Sequence, residues 1–250
     1  MPAFAARKKT ESEYYYYLRK VIDRINNIVK KYYDPNHPYA TNDLIYELEA
    51  YANTLTPWAK KLARRMINRV NNYNYGDWKR VNAKLYAYFR DGFKKDDAAF
   101  RTALELQNSE VNLIKSLPLE AAQRVQEMSR NYMIKGRRPE ELAEAILASE
   151  AVSRSRAKLI ARTEIAKANT FLTKSRAESI GVRKFIWRTM EGGIVRPSHA
   201  ELDGMIFDFD NPPDIDGEGV HLPGDFPNCR CYAEPIIDEQ YQLDNYQYLL

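Results

Sequence analysis

The residues best suited to chemistry lie close together near the C-terminal end of this 250-residue chain. Both cysteines, Cys229 and Cys231, and two of the three histidines, His199 and His221, fall within 33 residues. Two thiolates and two imidazoles form a donor set that suits tetrahedral zinc. A metal would also add cohesion to a loop-rich segment with little apolar core. The sequence therefore predicts a candidate zinc site made by these four residues.

The spacing of the two cysteines leaves other interpretations open. One residue, Arg230, separates them, whereas zinc knuckles usually have two residues between their cysteines. The cysteines can instead be small buried apolar side chains, with the histidines hydrogen-bonded to loop backbone. A disulfide between Cys229 and Cys231 is a third interpretation, and it would be strained.

A second set of polar residues could form a catalytic cluster. His199 would be the general base, and the arginines would bind an anion (Arg162, Glu164, Arg196, His199 and Asp203). No nucleophile elbow, P-loop or HExxH motif accompanies them. Alternatively, Arg and Glu form ion pairs that tie a long helix to the turn after it. We favour this second interpretation, so no catalytic residue is predicted.

The acidic stretch 208–218 resembles a calcium-binding loop only superficially. Prolines interrupt the ligand spacing, and no glutamate follows at the required distance. We expect a solvated loop here.

Charges are unevenly distributed along the chain, whose formal net charge is +4. Residues 151–200 contain 11 Lys or Arg and 3 Asp or Glu, whereas residues 201–250 contain 12 Asp or Glu and one Arg. The basic block could face a phosphate backbone, and the acidic block would repel nucleic acid. The interpretation we favour is that the two blocks partly neutralise one another within the fold.

Amphipathic helices are predicted for most of the first 150 residues. In residues 11–33 apolar side chains alternate four and three apart, so this stripe must pack against another helix (Tyr14, Leu18, Val21, Ile25, Ile28 and Tyr32). Two further helices are predicted to begin at Asn42 and at Thr56–Pro57. Four more are predicted over later ranges (Asp77 to Phe89, Asp97 to Leu117, Pro118 to Ile134, and Pro139 to Leu147). The run 71–76 is predicted to end a helix.

A long helix is predicted from Val152 to Ile180, and it places Arg162, Asn169 and Arg176 on one face. Gly181 ends it. The pattern then changes to short strands joined by turns (Val182–Trp187, a hairpin turn at Glu191–Gly193, and weaker strands at Met205–Phe207 and Cys231–Tyr232).

The predicted fold is mainly α, with a small C-terminal α+β module. An extended helical region (1–150) precedes a long helix and a short-stranded, loop-rich sheet (151–237), and a flexible tail follows (238–250). The sequence has neither a run of 18 apolar residues that would cross a membrane nor an apolar secretory leader. Two cysteines give no disulfide framework, so we expect synthesis in a reducing cytosol.

Seven short motifs, taken in order, resemble the phage Mu F-like family of minor head, or head morphogenesis, proteins of tailed bacteriophages. They span the predicted C-terminal module (ARTE at 161–164, Ala168-Asn169, the strand with Trp187, Arg196-x-x-His199, Leu202-x-Gly204, Pro223-Gly224 and Asn228-Cys229-Arg230-Cys231). The order and spacing of the motifs, rather than any one of them, carry the resemblance.

The resemblance implies a virion component, present in few copies, that associates with the portal vertex during procapsid assembly. Expected partners are the portal protein and the major capsid or scaffolding protein, and contact with packaged DNA during packaging or ejection is also allowed. It implies synthesis in the host cytoplasm, no membrane association and no enzymatic activity, with a set of structural residues instead (Arg162, Glu164, Asn169, Trp187, Arg196, His199, Gly204, Pro223 and Gly224).

The turn before His199 departs from the family pattern at several positions. The family turn before the histidine often reads Asp-x-Arg-Val-Arg, whereas this chain has Glu191 to Arg196 as EGGIVR, so roles at the altered positions are not carried over.

Two alternative functions stay open. The first is a metal-dependent or anion-binding enzyme that uses the His/Cys cluster. The second is a DNA-binding accessory protein that uses the basic first 200 residues.

Overall fold

The computed structural model describes residues 2–33, 40–81, 97–190, 195–215, 217 and 219–237. Within these ranges the chain forms helices joined by short connections (α1 Pro2–Tyr32, α2 Ala40–Thr54, α3 Thr56–Val81, α4 Asp97–Ile134, α5 Pro139–Ala148, α6 Glu150–Ser179 and α7 Pro197–Glu201). Three strands follow α6 (β1 Lys184–Arg188, β2 Ile206–Asp208 and β3 Tyr232–Pro235). The predicted fold class, mainly α with a small C-terminal α+β module, is confirmed. The part of the predicted Asp77–Phe89 helix after Val81, the turn at 191–193 and the tail at 238–250 lie outside the described residues.

The predicted helix end at residues 71–76 and the predicted new helix start at Asp77 are both wrong, because α3 continues through these residues to Val81. The Asn74 side chain is buried, and its amide nitrogen donates to the Asn169 carbonyl (3.1 Å) and to the Thr173 hydroxyl (2.8 Å). Its oxygen accepts a hydrogen bond from Arg176. These partners on α6 occupy a side chain that would otherwise compete for the helix backbone. Tertiary contacts thus override a weak local propensity.

Two predicted helix starts are also wrong. Helix α2 begins at Ala40, so Asn42 lies inside its first turn rather than at its cap. Helix α4 runs from Asp97 to Ile134 with Pro118 inside it. An interior proline costs about 3 kcal/mol, whereas burial of one large apolar side chain stabilises by about 1.5–3 kcal/mol. Several side chains next to the proline are buried, and they offset its cost (Ile114, Leu117, Ala121, Ala122 and Val125).

The chain divides into two compact units that do not follow chain order. One contains Met1–Glu11, Met66–Leu106 and Arg162–Leu250, and the other contains Ser12–Arg65 and Gln107–Ala161. Helices α1, α3, α4 and α6 therefore each supply residues to both units. The predicted functional division at residue 150 stays a prediction, because these units reflect contacts between segments that are distant in sequence.

The second unit has a helical core that includes the apolar stripe predicted in α1. Five of the six predicted stripe residues are buried, and Tyr32 is half-buried (Tyr14, Leu18, Val21, Ile25 and Ile28 are the buried ones). The Tyr14 hydroxyl donates a hydrogen bond to the Glu110 carboxylate, which is 2% exposed. This hydrogen bond gives each of these two buried side chains a polar partner.

The first unit contains a three-stranded antiparallel sheet of order β2-β1-β3. Phe185 of β1 lies opposite Phe207 of β2 and Pro235 of β3, and Trp187 lies opposite Ala233. The predicted strands are thereby confirmed, with shifts of one to three residues at their ends. The buried side chains of β1 face an apolar core to which α3, α6 and the loops contribute (Trp78, Ala177, Val182, Phe185, Trp187, Phe209, Ile215, Leu222, Phe226, Cys229, Cys231 and Ala233).

We expect Gly76→Ala to stabilise the protein by about 0.5–1 kcal/mol, because alanine is the better residue inside a helix. A Cβ at Gly76 meets no atom within 4 Å. Urea denaturation followed by circular dichroism measures this change.

Gly181→Ala is the matched control, since its Cβ also meets no atom within 4 Å but its φ is +80°. This substitution should destabilise by about 1–3 kcal/mol. If Gly76→Ala destabilised the protein as well, the continuation of α3 through residue 76 would be wrong.

Candidate functional site

One face of α6 holds the loop that leads to the cysteines. The Thr170 hydroxyl donates to the Pro223 carbonyl (2.5 Å), and Thr170 is fully buried. Seven residues earlier, the Thr163 hydroxyl accepts a hydrogen bond from the backbone N–H of Asn228 (3.0 Å). These two bonds satisfy loop backbone groups that have no strand partner.

Two lysines on the same face of α6 bind further along this loop. Lys167 forms an ion pair with Asp225 at 2.9 Å. The Lys174 ammonium donates to the Phe209 carbonyl at 2.7 Å and lies 3.3 Å from the Asp210 carboxylate. The four α6 residues are spaced four, three and four apart, so they form one continuous polar stripe.

The Pro223-Gly224 motif lets the loop backbone pass close to α6. A Cβ at Gly224 would lie 3.1 Å from the Cys231 carbonyl oxygen and 3.2 Å from the Ala166 carbonyl oxygen. The φ of Gly224 is also +89°, which L side chains rarely adopt. Glycine is therefore required at this position on both steric and conformational grounds.

Arg162, the first charged residue of the ARTE motif, connects three segments. Its Nε lies 3.2 Å from a Glu11 carboxylate oxygen in α1, and its Nη1 donates to the Asn228 side-chain oxygen (3.3 Å). Asn228 has a φ of +60°, and its two hydrogen bonds to α6 hold it there. Arg162 does form an ion pair, but its partner lies in α1, so the predicted ion-pair tie between α6 and the turn after it is not the one that the structure shows.

The start of α1 is fixed to the cysteine segment by charged groups. The Arg230 guanidinium lies 3.5 Å from the same Glu11 oxygen, and Arg7 donates to the Arg230 carbonyl at 3.2 Å. Burial lowers the pKa of Arg7, while the nearby Tyr73, Cys229 and Glu11 act in the opposite direction. A buried cation is therefore placed next to the cysteine segment.

His199 and the two cysteines come together in the interior. His199 lies on α7 and is 2% exposed, and both cysteines are buried free thiols. The His199 Nδ1 is 3.3 Å from Cys229 Sγ and 3.6 Å from Cys231 Sγ, and the three donor atoms all lie within 4.8 Å of one another. Three of the four predicted zinc ligands are thus neighbours.

His221, the fourth predicted ligand, is not part of this three-atom group. Its Nδ1 lies 3.8 Å from an Asp225 carboxylate oxygen. Its ring packs edge-on against Phe226 (5.2 Å between centroids), and the His199 ring packs against the same Phe226 at 5.5 Å.

The two thiols affect each other's ionisation in opposite directions. The hydrogen bond between their side chains lowers the pKa of Cys229 to about 5 and raises the pKa of Cys231 above its usual value. The backbone N–H of Cys231, 3.4 Å from Cys229 Sγ, also favours the Cys229 thiolate. The Cys229 sulfur, whose anionic form these contacts favour, lies beside a buried imidazole, and this arrangement is suited to metal ligation or proton transfer.

The other members of the predicted catalytic cluster do not converge on His199. Arg196 is exposed, and its guanidinium carbon lies 4.6 Å from the centre of the Phe226 ring. Asp203 accepts a hydrogen bond from the Thr189 backbone N–H at 2.7 Å. Glu164 is half-buried on α6. Arg196 is therefore not the buried internal tie that we expected from the sequence.

The remaining motif residues fix backbone positions. The Gly204 N–H donates to the Trp187 carbonyl (2.9 Å), so the Leu202-x-Gly204 motif begins the pairing of β1 with the segment after α7. Trp187 itself is fully buried and packs edge-on against His199. The Asn169 carbonyl and side-chain oxygen both accept from Asn74.

Sequence reasoning missed most of the residues that hold this loop. The polar stripe on α6 had a usable signal in its helical spacing, which places Thr163, Lys167, Thr170 and Lys174 on one face. Glu11 and Asn74 had none, because their partners lie more than 90 residues away in the sequence.

The acidic and basic blocks neutralise each other in part, as predicted. Several basic residues of the 151–200 block form ion pairs with acidic residues after position 200 (Lys167–Asp225, Lys174–Asp210, Arg183–Asp210 and Arg188–Glu234). In the acidic stretch, Asp214 accepts a hydrogen bond from the Gly219 N–H (3.0 Å), and Asp208 accepts one from the Asp210 N–H (2.9 Å). These carboxylates thus stabilise the loop backbone.

Comparison with known proteins identifies the segment that contains this site. Residues 123–234 match the family described as Phage Mu protein F like protein, which confirms the resemblance over these residues. This is a family of structural phage head proteins. A protein of Haemophilus influenzae strain Rd, described as an uncharacterized protein, is 29% identical over 254 aligned positions that cover 94% of this chain. The chain spans 55% of the length of that relative. No solved structure matches the chain.

We expect Gly224→Ala to destabilise the first unit strongly, because the new Cβ would be too close to two carbonyl oxygens and the φ is positive. Gly204→Ala is the matched control, since its φ is +82° but its Cβ meets no atom within 4 Å. Positive φ alone costs about 1–3 kcal/mol, and overpacking adds about 1–3 kcal/mol. Thermal unfolding of both variants separates the two effects, and equal losses would contradict the close approach to α6.

We expect Arg196→Ala to leave the fold intact and to lower the free energy of unfolding by about 0.5–1 kcal/mol, the usual value of an exposed cation–π contact. Arg162→Ala should cost more, because it removes contacts to Glu11 and Asn228 at once. Urea denaturation of both variants gives the order, and unfolding of Arg196→Ala would contradict it.

Proposed function

We propose that this chain is a head morphogenesis protein of a tailed bacteriophage. It acts as a structural adaptor that associates with the portal during procapsid assembly. It also acts during DNA packaging or ejection. The observation that carries this proposal is the family match over residues 123–234. That segment includes all of α6, the loop, both cysteines and the sheet apart from Pro235.

A structural role agrees with how the polar residues of the site are used. Arg162, Asp203 and Thr170 each bind a group of the protein's own chain, and these contacts hold loops to helices. A catalytic arginine or carboxylate would instead be directed toward a substrate position. The enzyme alternative therefore has less support than the structural one.

We assign the contact with the portal or capsid to the helical region 1–150 and the role of stabilised anchor to residues 151–237. Exposed apolar side chains support this assignment, since Met133 is 74%, Ile134 is 72% and Tyr46 is 69% exposed. Large exposed apolar groups are typical of surfaces that bind another protein. The adjacent pair Met133 and Ile134 is the candidate contact that is simplest to test.

Protein partners are favoured over DNA as the principal contact. Lysines and arginines in the most basic part of the sequence are already paired with carboxylates, which reduces their attraction for phosphates. None of the described helices has the length and apolar character needed to span a membrane. The proposed location is the virion, at the portal vertex or in the capsid interior, after synthesis in the host cytoplasm.

Co-expression with the portal protein of the same genome tests this proposal. Size exclusion with mass detection should show both proteins in one peak at a defined ratio. The double variant Met133→Glu/Ile134→Glu should lose this complex, because two charges replace the apolar contact.

The matched control is Gln126→Glu/Asn131→Glu, which adds the same charge at exposed positions of α4 without removing apolar surface. This control should keep the complex. Separate elution of the wild-type chain from the portal, the capsid and the scaffolding proteins would contradict the adaptor role. Loss of the complex in both double variants would instead assign the effect to charge.

A further inference from the structure

The two sulfur–nitrogen distances in the buried His/Cys group are close to those of ligands on one ion. In a tetrahedral site with zinc–sulfur bonds of about 2.3 Å and zinc–nitrogen bonds of about 2.05 Å, a sulfur and a nitrogen ligand lie roughly 3.6 Å apart. The observed Sγ–Nδ1 distances are 3.3 Å for Cys229 and 3.6 Å for Cys231. Little movement is therefore needed to place a common ion between the three atoms.

A chain of hydrogen bonds explains this arrangement less completely. Such a chain requires contacts from Cys231 to Cys229 and from Cys229 to His199, and it gives no reason for Cys231 Sγ to approach the imidazole nitrogen. A shared ion requires both sulfurs to lie near the imidazole nitrogen, as they do. The imidazole nitrogen that faces the two sulfurs is Nδ1. It carries either one lone pair or one proton, so it can form a hydrogen bond with only one of the two thiols.

The surroundings of the group fit metal-bound thiolates. The Cys231 backbone N–H points to Cys229 Sγ at 3.4 Å, as the hydrogen bonds that support ligated sulfur do. Trp187 and Phe226 enclose the imidazole with apolar rings. The Arg7 guanidinium, bound to the carbonyl of the residue between the two cysteines, adds positive charge that favours anionic sulfur.

We propose that His199, Cys229 and Cys231 form a binding site for one zinc ion in the interior of the first unit. Two thiolates and an imidazole suit this borderline-soft cation. The fourth position is left to a ligand from outside the protein, such as water. The site joins α7 to the segment before β3, two parts of the chain that are 30 residues apart and connected largely by loop. The metal thereby stabilises the loop that α6 holds.

Metal analysis of the wild-type chain, purified under reducing conditions without a chelator, tests this proposal. Elemental mass spectrometry should find one zinc ion per protein chain. Replacement of the zinc by Co²⁺ should produce sulfur-to-cobalt charge-transfer bands and the visible bands of a tetrahedral site. Removal of zinc should lower the melting temperature, and stoichiometric zinc should restore it. These measurements use the wild-type protein, so they do not depend on a variant that folds.

Variants then assign the ligands. His199→Gln, Cys229→Ser and Cys231→Ser should each lose the metal and the charge-transfer bands, while circular dichroism reports whether the helices remain. His221→Gln is the matched control and should keep one zinc per chain. Metal loss in His221→Gln equal to that in His199→Gln would overturn the three-residue assignment.

Wild-type protein with two titratable thiols, no zinc and no cobalt charge-transfer band would overturn the site altogether. The three residues would then form a hydrogen-bonded cluster. Portal binding is measured separately, so failure of the zinc site leaves the proposed function untouched, and the reverse also holds.

Discussion

Hydrogen bonds and ion pairs from α6 are the interaction on which the rest of the first unit depends. The loop from β2 to the cysteines has little regular structure, so its backbone polar groups need side-chain partners. Thr163 and Thr170 provide two of these partners, and Lys167 and Lys174 add charged contacts on the same face. The ARTE motif is thus the start of a polar surface that fixes a loop.

Another set of α6 residues is polar for a related reason. Asn169, Thr173 and Arg176 bind Asn74, and Arg176 also binds Asn71. Buried polar groups in such a network specify one arrangement of their helices, because any other arrangement would leave them without partners. This requirement explains why α3 continues through an asparagine-rich run.

The sequence allowed the fold class, the long helix, the positions of the strands and the pairing of His199 with the cysteines to be predicted. These predictions rest on local periodicity or on rare residue types, both of which are visible in a single sequence. The failures have a common cause. The continuation of α3 and the uninterrupted α4 depend on contacts between distant residues, and so do the partner of Arg162 and the exposed position of Arg196. The local helix propensity of a sequence contains no information about such contacts.

The His/Cys group and the α6 surface act on the same loop from its two sides. Gly224 and Asn228 approach α6, while Cys229 and Cys231 approach α7. The loop therefore has partners on α6 and on α7, and its polar residues bind groups of the protein's own chain. These contacts agree with the structural role proposed above, in which the motif residues maintain the shape of this loop.

The most direct test of this central claim is quantitative mass spectrometry of purified procapsids from the phage or prophage that encodes the chain. The account predicts that the chain is present in procapsids in a few copies, in constant proportion to the portal protein. Its absence from procapsids, with abundant free protein in the same lysate, would contradict the account.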